Sequence, residues 1–383
     1  MDELAFLENA SASFEDIAEN GDPSVPLSFD PATVGAAERV DAAVFNPVTS
    51  EVLEVSNIIY QRHADGRPPE RAYWVGRKLK KCIFGVVKAC TILKFRNVPD
   101  VPWEVTELKA AVKIMSWQKI RELRHIEDPQ KEVAAMQFVC RDGVHPHIMG
   151  TLDVLQDDEY LLLFMPFCSS GDLFGFVQQA GRFPEPMARY WFKQILEALC
   201  HLQKLGVCHR DMSLENILLD EYKTSVVIDL GMCLRVPYAS DDGEGVTDVS
   251  SGNLRVLIKP LIPCGKPNYI SPEVLMSEEP FDGFAIDLWA TGVILFIMLV
   301  GLPPWEFARG EDPRYKMVTK GGLRRMLRSW DREVSAPASD LLQKMLMENP
   351  RERLSLAEVK DHPWVLDEDG AFQPPTTAEG WRG

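Results

Sequence analysis

What the sequence lacks narrows its class before any motif is read. Its eight cysteines are scattered without a C-x-x-C pair, so neither a zinc ligand set nor a disulfide framework is indicated, and they read as reduced thiols. Basic residues are outnumbered, 41 Lys and Arg against 57 Asp and Glu. The resulting net charge of −16 lacks the footprint of a nucleic-acid or anionic-membrane binder. The longest apolar run, Gly292–Leu302, reads as too short to cross a bilayer, and no charged-then-apolar start marks a signal peptide. The expectation is an intracellular protein, cytoplasmic or nuclear, with neither nucleic acid nor membrane as partner. What remains is 383 residues with 46% hydrophobic content, enough for a large core.

The acid excess is uneven. The first 70 residues hold fourteen acidic residues against three arginines, together with Pro23, Pro26, Pro31, Pro47, Pro68 and Pro69. No clear period runs through them, and residues 1–70 read as an acidic, mostly disordered extension. Within it Leu4, Leu7, Phe14 and Ile17 could line one face of a short docking helix. Residues 367–383 read as a short acidic tail.

The chain is organised around His209–Leu219, HRDMSLENILL, where Asp211, Glu215 and Asn216 stand between apolar runs. Thirteen residues past Asn216 comes Asp229-Leu230-Gly231, after the strand-like Val226-Val227-Ile228. Together these stretches resemble the catalytic and magnesium loops of the eukaryotic protein kinases, serine/threonine type.

The resemblance extends from Tyr73 to Val365. It implies an α+β, two-lobed kinase domain over residues 71–366. The N-lobe, about 71–165, would be a small antiparallel sheet with one main helix; the C-lobe, about 169–366, would be larger and mostly helical. It further implies that Asp211 orients the hydroxyl and that Asn216 and Asp229 bind magnesium. Lys113, in Ala110-Ala111-Val112-Lys113-Ile114, would bind ATP phosphates while paired to Glu132, which lies in a helix-forming run after Pro129; Glu127 and Asp128 precede that helix.

The phosphate-covering loop, L-G-x-G-x-F-G-x-V, falls on Leu79–Val87. Here Lys80 and Cys82 stand at two glycine places and only Gly85 survives. Glycine lets backbone approach phosphates closely, so this departure weakens the ATP expectation, with Lys80 and Lys81 as candidate compensating charges. After Cys90, a stretch with Pro99 and Pro102 reads as a loop. In the family, Met165 would be the gatekeeper, and main-chain groups of Pro166 and Cys168 would hold adenine; Leu79, Val87, Ala111 and Leu218 complete the nucleotide set. Asp172 and Glu215 sit where the family meets ribose and a basic residue upstream of the target hydroxyl, so a protein substrate with upstream arginine is plausible.

From Asp229 to Glu273 there are 45 residues. The middle, Ala239–Asn253, reads as mobile, with Thr247, Ser250 and Ser251 as acceptors for an upstream activating kinase whose phosphate Arg210 would receive. The segment ends in Cys264-Gly265-Lys266-Pro267-Asn268-Tyr269-Ile270-Ser271-Pro272-Glu273. Where the family carries a lysine two residues after the catalytic aspartate, this chain has Ser213; where it carries threonine, this chain has Lys266. The two departures are reciprocal, and Lys266 is expected to supply the charge that Ser213 cannot. Asp287 would brace the catalytic loop, and Arg353 would pair with Glu273. His362-Pro363-Trp364 resembles the calcium/calmodulin-dependent kinase group, without a calmodulin-binding helix or EF-hand after it. The implied function is transfer of the γ-phosphoryl of MgATP to a protein hydroxyl. The alternative is a pseudokinase acting as a scaffold; no oligomeric state is specified.

Overall fold

The computed structural model describes residues 27–123, 128–236, 245–247, 254–259, 261, 263–276, 279–368 and 372. Two compact units emerge: one comprises Ser28–Val144 and Met149–Phe167, the other His145–Ile148 and the chain from Cys168 onward.

The first unit contains β1 (Gly35–Asn46), β2 (Glu51–Arg62), β3 (Arg71–Cys82), β4 (Gly85–Phe95) and β5 (Trp103–Ser116). Helices α1 (Trp117–Leu123) and α2 (Pro129–Val139) follow, then β6 (Asp153–Gln156) and β7 (Tyr160–Pro166). The strands form a closed barrel in the order β1-β2-β3-β4-β5-β7-β6. Closure is made by β1, whose Gly35 and Ala36 pair in parallel with Leu155 and Gln156 of β6. Its far end pairs Val44 with Trp103 of β5.

Over residues 27–70 this corrects the expectation of an acidic, mostly disordered extension and of a small antiparallel sheet that begins only near 71; residues 1–26 lie outside the described residues. Residues 35–62 are two twelve-residue strands. Val44 and Ile58 join the barrel cluster with Ala72, Leu93 and Trp103, and Val40, Ala42, Leu53 and Val55 pack against it. Alternation at period two was present, but small apolar residues interleaved with acids gave it little amplitude, and the prolines read as breakers. Asn46 makes the turn, its carboxamide oxygen accepting from the amides of Val48 and Thr49 at 3.0 and 3.4 Å. The stretch after Cys90, expected as a loop, continues β4 to Phe95. Ahead of β1, Asp30 caps a short 3-10 turn, Pro31–Thr33, and the Thr33 hydroxyl donates to Gln137 of α2 at 3.2 Å.

The second unit is mostly helical. It holds α3 (Leu173–Ala180), α4 (Glu185–Lys204), the short strands β8 (Val207–Cys208), β9 (Ile217–Leu219), β10 (Ser225–Val227) and β11 (Leu234–Arg235), and the hairpin β12 (Gly245–Thr247) with β13 (Leu254–Val256). Next come α5 (Pro272–Met276), α6 (Gly283–Val300), α7 (Pro313–Thr319), α8 (Leu323–Ser329), α9 (Ala336–Met345), α10 (Leu356–Lys360) and α11 (Pro363–Leu366). The β12–β13 ladder replaces part of the mobile loop expected over 239–253. Helix α6 corrects the reading of its apolar run: at 18 residues it meets the length and composition of a membrane span, yet all of it is buried as the core helix of this unit.

Candidate active site

The expected site residues fall into two sets, one in each unit. In the first, β5 presents Lys113, and its ammonium lies 2.5 Å from the Glu132 carboxylate of α2. Helix α2 starts where the sequence places it: Pro129 fits the first turn, and Asp128 caps it by accepting from the Gln130 amide at 3.0 Å. Asp128 is thereby occupied as a cap, and Glu127 lies outside the described residues. The partner-acid expectation therefore settles on Glu132. Strand pairing gathers the expected nucleotide positions of this unit: Val87 pairs with Lys113, Ala111 with Met165, and Ala110 with Pro166. Leu79 lies on β3 beside them, half-buried.

The phosphate-covering segment is a tight hairpin. Lys80 pairs with Val87 and Cys82 with Gly85, so Ile83 and Phe84 form the turn. Phe84 is buried, and its carbonyl accepts from the Ser116 amide at 3.0 Å. Neither Lys80 nor Cys82 has a positive φ, so their backbone does not need glycine. Gly85 does: a Cβ there would stand 2.0 Å from the Ile114 carbonyl oxygen. The surviving glycine is the one that strand packing requires.

In the second unit the catalytic loop hangs from α6. The Asp287 carboxylate accepts from the His209 amide at 2.6 Å and the Arg210 amide at 2.8 Å, the bracing role expected for it. Burial pushes its pKa up to about 6. The His209 imidazole accepts from the Asp211 amide through Nδ1 at 3.2 Å and donates through Nε2 to the Ile228 carbonyl at 3.0 Å, so both ring nitrogens are committed. Arg210 and Asp229 both adopt positive φ, 66° and 69°, so each of the two loops with an expected site carboxylate holds one strained backbone position.

Asn216 locks these loops together. Its Nδ2 donates to the Asp211 carbonyl at 2.8 Å and to Asp211 Oδ2 at 2.7 Å, while its own carbonyl accepts from the Ile228 amide at 2.9 Å. With the nitrogen committed, its carboxamide oxygen is the end suited to a cation. Asp211 Oδ1 is buried without a hydrogen-bond partner, an acceptor set for a hydroxyl donor. Burial raises the Asp211 pKa, opposed first by the charge of Lys266. The hard oxygens of Asn216 and Asp229 suit magnesium. Among the described residues no cluster of three His, Cys, Asp or Glu side chains forms a metal cage by itself.

Lys266 and Ser213 meet as the reciprocal departures implied: the ammonium donates to Ser213 Oγ at 2.9 Å, with Ser213 fully buried. Asp172 caps α3, accepting from the Gly175 amide at 2.7 Å, and bridges to Leu218. Cys168 precedes it, half-buried. Glu215 accepts from the Tyr269 hydroxyl at 3.4 Å, and the same hydroxyl accepts from the Leu214 amide at 3.5 Å. Sequence reasoning missed Tyr269 as a tie between the catalytic loop and the closing segment; its only signal was an aromatic with a polar tip in a segment of prolines and small residues. Of the acceptors named for phosphorylation, Thr247 lies in β12, and Ser250 and Ser251 lie outside the described residues.

Comparison with known proteins places the chain in a family. A family model described as protein kinase domain matches residues 97–365, from just before β5 to α11. Calcium-dependent protein kinase 8 of Arabidopsis thaliana is 33% identical over 294 residues, covering 76% of this chain and 49% of that protein. Probable serine/threonine-protein kinase fhkD of Dictyostelium discoideum is 31% identical over 300 residues, 75% of this chain and 36% of its own. CBL-interacting protein kinase 31 of Oryza sativa subsp. japonica is 29% identical over 272 residues, 70% of this chain and 54% of its own. The chain thus spans about half or less of the length of these relatives. With the family match covering well over half of its residues, the chain belongs to the protein kinase family.

Proposed function

We propose that this chain is a serine/threonine protein kinase that transfers the γ-phosphoryl of MgATP to a protein hydroxyl. The observation that carries the reading is the Asp211–Asn216 lock, which leaves one buried Asp211 oxygen open beside the Asn216 amide. In this reading Asp211 orients the hydroxyl and takes its proton, and Lys113, held by Glu132, grips ATP phosphates. Asn216 and Asp229 hold magnesium, which when bound neutralises phosphate charge. For the adenosine, the first unit offers Leu79, Val87, Ala111, Met165 and the main chain of Pro166, and the second unit offers Leu218 and the main chain of Cys168. Names of relatives such as serine/threonine-protein kinase support the substrate class.

Two finer readings belong to the same proposal. Asp172 and Glu215 each spend one oxygen on a structural bond and keep another for a basic residue of the substrate. An upstream kinase would act on the segment between Asp229 and Glu273, with Arg210 as receiver of the phosphate.

The test is transfer of γ-phosphate from MgATP to a generic basic protein, with nucleotide binding measured alongside, for wild type and Asp211→Asn. Transfer that vanishes in the variant supports the kinase. Nucleotide binding with no transfer, even after phosphorylation of the activation segment, supports the scaffold alternative instead.

A further inference from the structure

Phosphoryl transfer spreads negative charge over the moving group, and a fixed cation beside it lowers the barrier. The loop that carries Asp211 offers none suited to the task. His209 is buried, with both ring nitrogens committed, to the Asp211 amide and the Ile228 carbonyl. Arg210 donates through Nη1 to the Met232 carbonyl at 3.3 Å. Ser213 is uncharged and buried. Lys266 arrives from another segment, and its ammonium donates to Ser213 Oγ at 2.9 Å. That bond uses one of three ammonium protons, so the charge is anchored while two donors remain.

The segment reaches Asp211 because residue 265 is glycine. Gly265 has a φ of +95°, and a Cβ there would lie 3.0 Å from Asp211 Oδ1. Asp211, Gly265, Lys266 and Tyr269 line one small pocket. The Cys264 thiol donates to the Arg210 carbonyl at 3.7 Å, and Tyr269 ties to Glu215 and to the Leu214 amide. These contacts, three residues either side of Lys266 at most, fix where its charge sits.

We infer that Lys266 is a catalytic residue whose ammonium holds the phosphoryl group in transit, so that the closing segment, and not the catalytic loop, carries the cation of the reaction. The inference rests on the kinase reading and deepens it. In the step, the substrate hydroxyl oxygen bonds to the γ-phosphorus and its proton passes to the Asp211 carboxylate. The bond from that phosphorus to the bridging oxygen breaks, and its electron pair leaves on ADP. Lys266 stays protonated throughout. Catalytic competence is thereby built into the docking of Cys264–Tyr269: undocking removes the cation as well as the substrate platform.

The experiment compares kcat, KM and nucleotide affinity for wild type, Lys266→Thr, Lys266→Arg, Ser213→Lys, the Lys266→Thr/Ser213→Lys double variant and Asp211→Asn. Expected is a fall in kcat of about 100-fold for Lys266→Thr, the scale of losing one charge-stabilising donor, with nucleotide affinity held within about threefold. Lys266→Arg keeps the charge and should retain most of the rate. The double variant returns the cation to the loop and should exceed the product of the single effects by at least about tenfold. A Lys266→Thr enzyme that turns over like wild type, or a double variant no better than that product, overturns the inference alone. Transfer that Asp211→Asn does not diminish overturns the kinase reading and the inference with it.

Discussion

Lys113 and Glu132 meet at 2.5 Å, with side chains 14% and 6% exposed, joining the C-terminal part of β5 to the first turn of α2. A pair so far out of water holds helix and sheet in one register while keeping a charge for phosphates. Lys113→Met, Glu132→Gln and the double variant should therefore show a coupling of about 1–3 kcal/mol in a denaturant-unfolding cycle, the range for residues in direct contact. Each single change should also cut phosphoryl transfer at least about 100-fold if the lysine positions the phosphates. Additive stability effects would show that the contact carries no energy of its own.

His145 gives a pH signature outside the active site. Its ring stacks on His201 with centroids 4.7 Å apart, and its Nδ1 accepts from the His147 amide at 3.2 Å. Burial, then the neighbouring His201 and His147, push its pKa down to about 4. The unfolded chain takes this proton near 6.5 and the folded chain only near 4, so the stability from this group is present above 6.5 and is lost as pH falls to 4. His145→Asn, which cannot titrate, should flatten the stability curve between those values relative to wild type. Curves of equal slope for the two proteins in urea unfolding would remove His145 from the account.

How much of this was legible depended on how strongly each residue type signals. Asp211, Asn216, Asp229 and Glu132 stood out because polar residues at fixed spacings between apolar runs have few structural uses. The helix starts at Pro129 and Asp172 were readable from proline and Asx capping alone. The β1–β2 hairpin was not, since Val40, Ala42 and Val44 give a weak alternating signal and their burial depends on strands far along the chain. Tyr73 hid its role in the same way. It stacks on Phe164 at 3.9 Å and donates to Asp153, neither of which any local pattern links to it. The ties of His209 to the Asp211 amide and the Ile228 carbonyl could be read only once both partners were placed in space.

Arg353 should prove irreplaceable by lysine. Its side chain, 1% exposed, forks onto Glu273 at 2.8 and 3.1 Å and donates to the Ala285 and Met347 carbonyls at 2.8 and 3.1 Å. A lysine brings one charge but no planar fork, and it leaves buried carbonyls short of donors. Arg353→Lys is expected to cost about 3 kcal/mol, the lower end for breaking a buried pair. Glu273 opens α5 just past Ser271, so the loss should loosen the closing segment and lower transfer as well. Unchanged unfolding midpoints in chemical denaturation would contradict this.

The barrel makes the sharpest demand on the N-terminal strands. Val44, Ile58, Ala72 and Leu93 are fully buried, and Trp103 is 3% exposed, in a cluster that draws on β1, β2, β3, β4 and β5. Deleting residues 1–67 removes two strands, bares Leu93 and Trp103, and leaves the edges of β3 and β6 without partners, which invites association. Deleting residues 1–27 removes none of the barrel. The longer deletion should therefore melt well below the full chain and aggregate on concentration, while the shorter should melt with it. Val44→Asp isolates the cause, because it puts a carboxylate into that cluster and keeps every strand. A loss of at least about 3 kcal/mol is expected from the buried, unpaired charge. Were the protein lacking residues 1–67 to melt with the full chain and stay monomeric, the two strands would be an appendage and the domain would begin near Arg71. A coincident loss in both variants would show instead that β1 closes the core on which β5, and with it Lys113, depends.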